Sequence, residues 1–164
     1  MTTLIELDQA GELFKLDPLL EANEQEWRMI YISPHLRNWF EEALPGLISV
    51  WKVEISPLQQ VDALVEEFCS GTTLCYGPQF KPIQHIEGGI WELKTPDVRI
   101  FGWFRVRDCF VGWRGEHAEH VKTYDLYHGL AGETARFRDQ LDLDEPKFIP
   151  GEDPNAVVSN YSFP

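Results

Sequence analysis

Basic residues are in short supply: 14 Lys and Arg stand against 27 Asp and Glu, a formal net charge of −13. A protein whose affinity rests on neutralising many phosphates does not carry this balance, which argues against a general nucleic-acid-binding surface. Cysteine is also scarce. Cys69, Cys75 and Cys109 form no CxxC pair, and an odd number leaves at least one thiol unpaired. A disulfide framework is excluded, a reducing compartment is suited, and the thiols are read as buried. The first twenty residues have no basic segment leading into an unbroken apolar run, so they are not read as a secretory signal. No stretch approaches the ~20 apolar residues that span a bilayer. The expectation is a cytoplasmic protein with no membrane contact.

What is present suffices for a core. The 164 residues fit one domain, and 43% are hydrophobic, enough to offset the entropy of ordering the chain. With 6 Trp, 10 Phe and 5 Tyr that core is expected to be rich in aromatic rings. The bases are unevenly spread: seven of the fourteen lie within residues 78–122, beside six acids. A locally basic surface inside an acidic molecule is therefore open. Screening over about 8 Å lets near charge outweigh net charge at contact.

Along the chain, residues 1–26 are acidic and weakly periodic and read as an appendage. Trp27 to Ile32 is a β-prone run. Ser33-Pro34 and Ser56-Pro57 each give an N-cap followed by Pro at the first helical position. Leu36, Trp39, Phe40, Ala43 and Leu44 follow the first at helical spacing, and Pro45-Gly46 stops that helix. Leu58, Val61, Leu64, Val65 and Phe68 follow the second, and Gly71 closes it. Between them, Leu47 to Ile55, with Trp51 and Val53, fits strand or helix. Residues 77–89, with Gly77-Pro78, Pro82 and Gly88-Gly89, read as a loop. Three strands are then expected: Ile90 to Lys94, Val98 to Val106 and Cys109 to Arg114. The turn Thr95-Pro96-Asp97 and the tight Arg107-Asp108 connection make them antiparallel. Glu133 to Leu141 reads as a short helix, and residues 146–164 as an extended tail. The fold class is α+β, an antiparallel sheet of an N-terminal strand plus a three-stranded meander with two helices packed on it, within residues 27–145.

This order of elements, with the run Gly88-Gly89-Ile90-Trp91-Glu92-Leu93-Lys94 followed by Val98-Arg99-Ile100-Phe101-Gly102-Trp103-Phe104, resembles the RelE/ParE toxin superfamily. It is most similar to the HigB-like, phage-derived branch, where a Gly-Leu-Trp-Glu-Leu-Arg-like strand precedes an Arg-bearing strand. The resemblance covers roughly residues 27–122. It implies a ribonuclease that cleaves messenger RNA on the ribosome without metal or cofactor, and an antitoxin-like protein partner. Attack by a 2′-hydroxyl needs a base, charge stabilisation at phosphorus and an acid for the leaving oxygen. Arg99 matches the Arg of the second meander strand, and Arg114 approximates a second basic position. Lys122 and Tyr124 or Tyr127 fall where the family places its last functional residues. In the segment Gly115 to Lys122, Glu116 and Glu119 stand where the family usually has bases.

The candidate catalytic residues are thus Arg99, Arg114, Lys122 and Tyr124, with His120 as a possible general base, since an unperturbed imidazole titrates near neutrality. Trp103, Arg105, His117 and Tyr127 are candidates for holding substrate. Alternation along the strand puts Arg99, Phe101, Trp103 and Arg105 on one face, where bases could stack. The bland alternative is that Arg99 and Arg105 pair with Glu92 or another acid, or stack on Trp103. Two further readings stay open. One is a non-catalytic module of the same fold that binds a protein partner, which the acidic balance favours. The other is a metal-dependent hydrolase using Glu116, His117 and His120, the two His lying i, i+3.

Overall fold

A computed structural model describes residues 2–50, 54–83 and 88–164. The chain is α+β. It opens with a short helix, α1 (Leu4–Gln9), and a two-residue strand, β1 (Phe14–Lys15). Strand β2 (Met29–Ile32) leads to α2 (Pro34–Glu42) and α3 (Pro57–Ser70). Both helices start as their sequences dictate: the Ser33 and Ser56 hydroxyls accept from the N–H of Leu36 and Gln59, with Pro next in line. Helix α3 ends on Gly71 at φ 82°, a left-handed position that glycine adopts without strain.

Then come β3 (Leu74–Cys75), β4 (Phe80–Pro82), β5 (Trp91–Lys94), β6 (Val98–Val106) and β7 (Cys109–His117). Helices α4 (Ala118–Tyr124) and α5 (Tyr127–Gln140) follow, then α6 (Pro154–Val157) and β8 (Tyr161–Ser162). The main sheet has the order β1-β2-β7-β6-β5-β4, and β3 pairs with β8 in a small second sheet.

The expected meander is present, with β5-β6-β7 antiparallel, but the sheet as a whole is mixed. Strand β2 runs parallel to β7, where an antiparallel neighbour was expected. Short turns fix the hand of adjacent strands, whereas β2 and β7 are joined through α2, α3 and the strands from β3 to β6, and sequence carries no local signal for such a pair. Other differences share that cause. Residues 80–82, read as loop, form β4 on the edge of the sheet, where the missing N–H of Pro82 is tolerated. Residues 2–26 are built in: β1 pairs with β2, and Leu7 and Leu13 are buried. The tail is pinned by β8 and by buried Val157 and Val158. Helix α5 begins at Tyr127, well before the expected Glu133. Of the ambiguous segment, residues 47–50 form neither helix nor strand, while Trp51 and Val53 lie outside the described residues.

The sheet is covered on both faces, so β6 is buried from Val98 to Phe104. One face packs Ile100, Phe104, Phe110 and Trp91 against Leu36 of α2 and Val61, Leu64 and Phe68 of α3. The other packs Phe101 against Val121, Leu130 and Ala131 of α4 and α5, and Trp103 and Val111 against Leu7 and Phe137. Among the described residues no helix is long and apolar enough to cross a membrane.

The β6–β7 ladder is irregular between Phe101 and Gly102. A Cβ on Gly102 would overlap the Val111 carbonyl oxygen and lie 2.7 Å from Phe110 Cζ. Gly102→Ala is therefore expected to lose about 3 kcal/mol or more of stability, read as a lower urea midpoint, because backbone cannot yield as a side chain can.

Candidate active site

Four strand residues form the floor of a cleft at one end of the sheet. Alternation places Lys81, Glu92, Lys94 and Arg99 on the face that α4 and α5 cover, and the register sets Lys81 opposite Glu92 and Lys94 opposite Arg99. Cross-strand like charges such as Lys94 and Arg99 are destabilising, and Glu92 on the same face offsets part of that repulsion. Glu92 is 3% exposed, and its Oε1 lies 3.9 Å from Lys94 Nζ. Its Oε2 is buried without a hydrogen-bond partner among the described residues. Burial raises the Glu92 pKa above the usual carboxylate value, while the charges of Lys94, Arg99, Lys81 and Lys122 act against that rise. Burial also lowers the Lys94 pKa, which Glu92 partly restores.

The hairpin that carries Lys94 and Arg99 is held by a buried network. Gln60 of α3 accepts from the Thr95 hydroxyl at 2.8 Å and the Asp97 N–H at 3.0 Å, and donates to Asp97 Oδ2 at 2.7 Å. Arg99 Nη1 donates to the carbonyls of Thr95 and Val98 (3.1 Å to the latter), which turns the guanidinium toward the hairpin tip.

The far wall comes from α4 and the start of α5. His117 caps α4: its Nδ1 accepts from the Glu119 N–H at 3.2 Å, and its Nε2 lies 3.3 Å from the Ile48 carbonyl oxygen. The two contacts together select the tautomer with hydrogen on Nε2. The helix so started brings Lys122 to the cleft, and the next turns add Asp125, Tyr127 and His128. Tyr127 lines this cleft together with Glu92 and Arg99. Its pKa is raised by burial and by the nearby Glu92 charge, with Arg99 opposing. The Tyr127 ring packs edge-on against Phe101, 6.0 Å between centroids.

This cleft has a volume of about 440 Å³. A second cavity of about 530 Å³ lies toward α3, and Lys94, Arg99 and Lys122 line both. Of the residues singled out in the sequence, Arg99, Lys122 and Tyr127 line this one cleft. The remaining candidates do not. Arg114 is tied to Glu133 at 3.0 Å and Glu116 at 3.4 Å. Tyr124 is 66% exposed, its ring against that of His120, and neither lines the cleft. Trp103 is fully buried beside Phe137 and cannot meet a ligand. Arg105 sits at the opposite end of β6, and His117 is engaged as a helix cap. Among the described residues no three His, Cys, Asp or Glu side chains gather where they could hold a metal ion.

Glu92, Lys94 and Lys81 are the members that sequence reasoning did not assign to a site. A signal was available for two of them: Glu92 and Lys94 alternate with Trp91 and Leu93 in a strand whose neighbours are apolar, and a charge there faces either water or a purpose. Comparison with protein-family models, with curated proteins and with solved structures finds no match to this chain.

Proposed function

We propose that the chain is a divergent RelE/HigB-like protein that cleaves RNA without a metal. The observation that supports this reading is the convergence of Lys94, Arg99 and Lys122 on one cleft around Glu92 and Tyr127. The cations take the place of the Lys-rich segment that the family usually has after its last strand, and they do so inside a molecule of net charge −13. A phosphate bound there would meet three positive groups at short range, while the field of the distant acids is screened.

In this mechanism Glu92, as carboxylate, removes the proton from a ribose 2′-hydroxyl. The 2′-oxygen bonds to phosphorus as the bond from phosphorus to the 5′-oxygen breaks. Lys94, its pKa lowered by burial, gives that leaving oxygen a proton. Arg99 and Lys122 stabilise the charge that builds on the non-bridging oxygens. The products are a 2′,3′-cyclic phosphate and a 5′-hydroxyl end. The Thr95 and Val98 carbonyls hold the Arg99 guanidinium in place, and Tyr127 walls the cleft beside it.

Induced expression is expected to arrest growth, and Arg99→Ala and the exposed Lys122→Ala to relieve the arrest, with Lys122→Ala keeping the native unfolding temperature. Full growth with wild-type protein accumulating, and intact messenger RNA after incubation with ribosomes, would remove this reading. The acid-bound Arg114 favours the second reading, a non-catalytic module of the same fold that meets an antitoxin-like partner. That is the outcome if a stable complex forms and RNA survives.

A further inference from the structure

We infer that the α3-side cavity is the subsite for the nucleoside downstream of the scissile phosphate. The inference rests on the phosphate-binding reading of the cleft. Its observation is the shared border: Lys94, Arg99 and Lys122 line both cavities, and a phosphate held by them has room on either side. A terminal phosphate or free mononucleotide would fill one cavity and leave the other to water.

The two sides differ in chemistry, and that sets the direction of the chain. Glu92 and Tyr127 line only the cleft between the sheet and α4–α5. The nucleoside that supplies the 2′-hydroxyl must reach Glu92, so the upstream unit lies there, with His128 at its rim. The downstream unit then enters the α3-side cavity. That cavity offers Pro78, Pro96 and Leu64 as apolar walls for a flat ring, and one carboxylate, Glu67, at its edge. The Gln60 and Gln79 amides in its wall are already committed: Gln79 donates to Glu67 Oε2 at 2.6 Å and accepts from the Cys75 N–H at 2.7 Å. Specificity on this side therefore falls to Glu67, an acceptor, and favours a base whose edge presents N–H donors.

The test measures binding, not cleavage. Dinucleoside monophosphates with a 2′-deoxy upstream sugar, in every base combination, are titrated against the full chain alongside 3′- and 5′-mononucleotides. The best dinucleotide is expected to bind about tenfold or more tightly than the better mononucleotide, because the second nucleoside joins a site already reached by the first. Ala63→Trp, which fills the α3-side cavity from its wall, is expected to remove that gain and leave 3′-mononucleotide affinity within about twofold. As a check independent of that variant, 5′-mononucleotides should shift the amide resonances of Ala63 and Glu67, and 3′-mononucleotides those of Tyr127 and His128. Equal affinity for dinucleotide and mononucleotide, or the same resonances moved by both mononucleotides, would overturn the inference. Dinucleotide preference in a protein that leaves RNA intact would keep the two subsites and dismiss cleavage. Cleavage without dinucleotide preference would do the reverse.

Discussion

Arg28→Ala is expected to leave the native state only marginally stable at ordinary temperature. Arg28 is 1% exposed, and its guanidinium is the common donor for four backbone carbonyls from two distant parts of the chain. Nη1 reaches Phe68 at 2.8 Å and Thr72 at 3.1 Å, with Glu67 at 3.4 Å, and Nη2 reaches Thr72 at 3.1 Å and Asn160 at 3.0 Å. Asp108 supplies the counter-charge at 3.5 Å from Nε. Alanine would leave these carbonyls without their donor and Asp108 without its counter-charge. The loss is expected to be about 4 kcal/mol or more, a large part of the stability of a domain of this size. Lysine does not rescue it, since one ammonium cannot span the same fork of acceptors. Thermal unfolding measures the effect directly. A second readout is the Cys69 thiol, whose pKa burial pushes up to about 12: it should resist thiol reagents in the wild type and react at once in the variant.

The second large effect is on chemistry. Glu92→Gln should cut RNA cleavage by about 10²- to 10⁴-fold, the range for loss of a general base, while the protein stays folded. Stability should move the other way. The folded-state pKa of Glu92 is raised, chiefly by burial. The native state therefore holds this proton more tightly than the unfolded chain does. The stabilisation is present in full below the unfolded value and is lost as pH rises through the folded one. A neutral amide in place of the carboxyl would remove that loss, so the variant should match or exceed the wild type in urea midpoint at neutral pH and show a flatter dependence on pH above the ordinary carboxylate range. A variant that cleaves RNA as well as the parent would take Glu92 out of the mechanism. A variant unstable at neutral pH but not in acid would show that the four cations need its charge more than burial opposes it.

These effects show where sequence is informative. Helices α2 and α3 are legible to the residue at their starts because Ser-Pro acts locally, through a hydroxyl and a fixed φ. Strand β6 is legible from Val98 to Val106 because six of its nine residues are β-branched or aromatic. Arg28 carries no such signal, since nothing beside it in sequence explains a buried guanidinium: its partners lie some forty and more than a hundred and thirty positions away. The site is half legible for the same reason. Arg99 and Lys122 lie in segments with a recognisable pattern, but the distinction between Tyr124 and Tyr127 depends on the break between α4 and α5 at Asp125, where a left-handed residue (φ 49°) turns the chain. Which tyrosine faces inward follows from that one torsion, not from spacing. The stacking face expected around Trp103 fails because alternation gives the face of a strand and is silent on what covers it.

The parallel pairing of β2 with β7 has a consequence for how the protein is made. Strand β2 emerges from the ribosome with its eventual neighbour still untranslated, and the Ser33 hydroxyl must wait for the carbonyl of Trp113. Until then Ile30 and Ile32 present a bare, apolar edge of the kind that invites wrong partners. Nascent chains arrested before Cys109 should therefore recruit holding chaperones that chains arrested beyond His117 and clear of the exit tunnel no longer need.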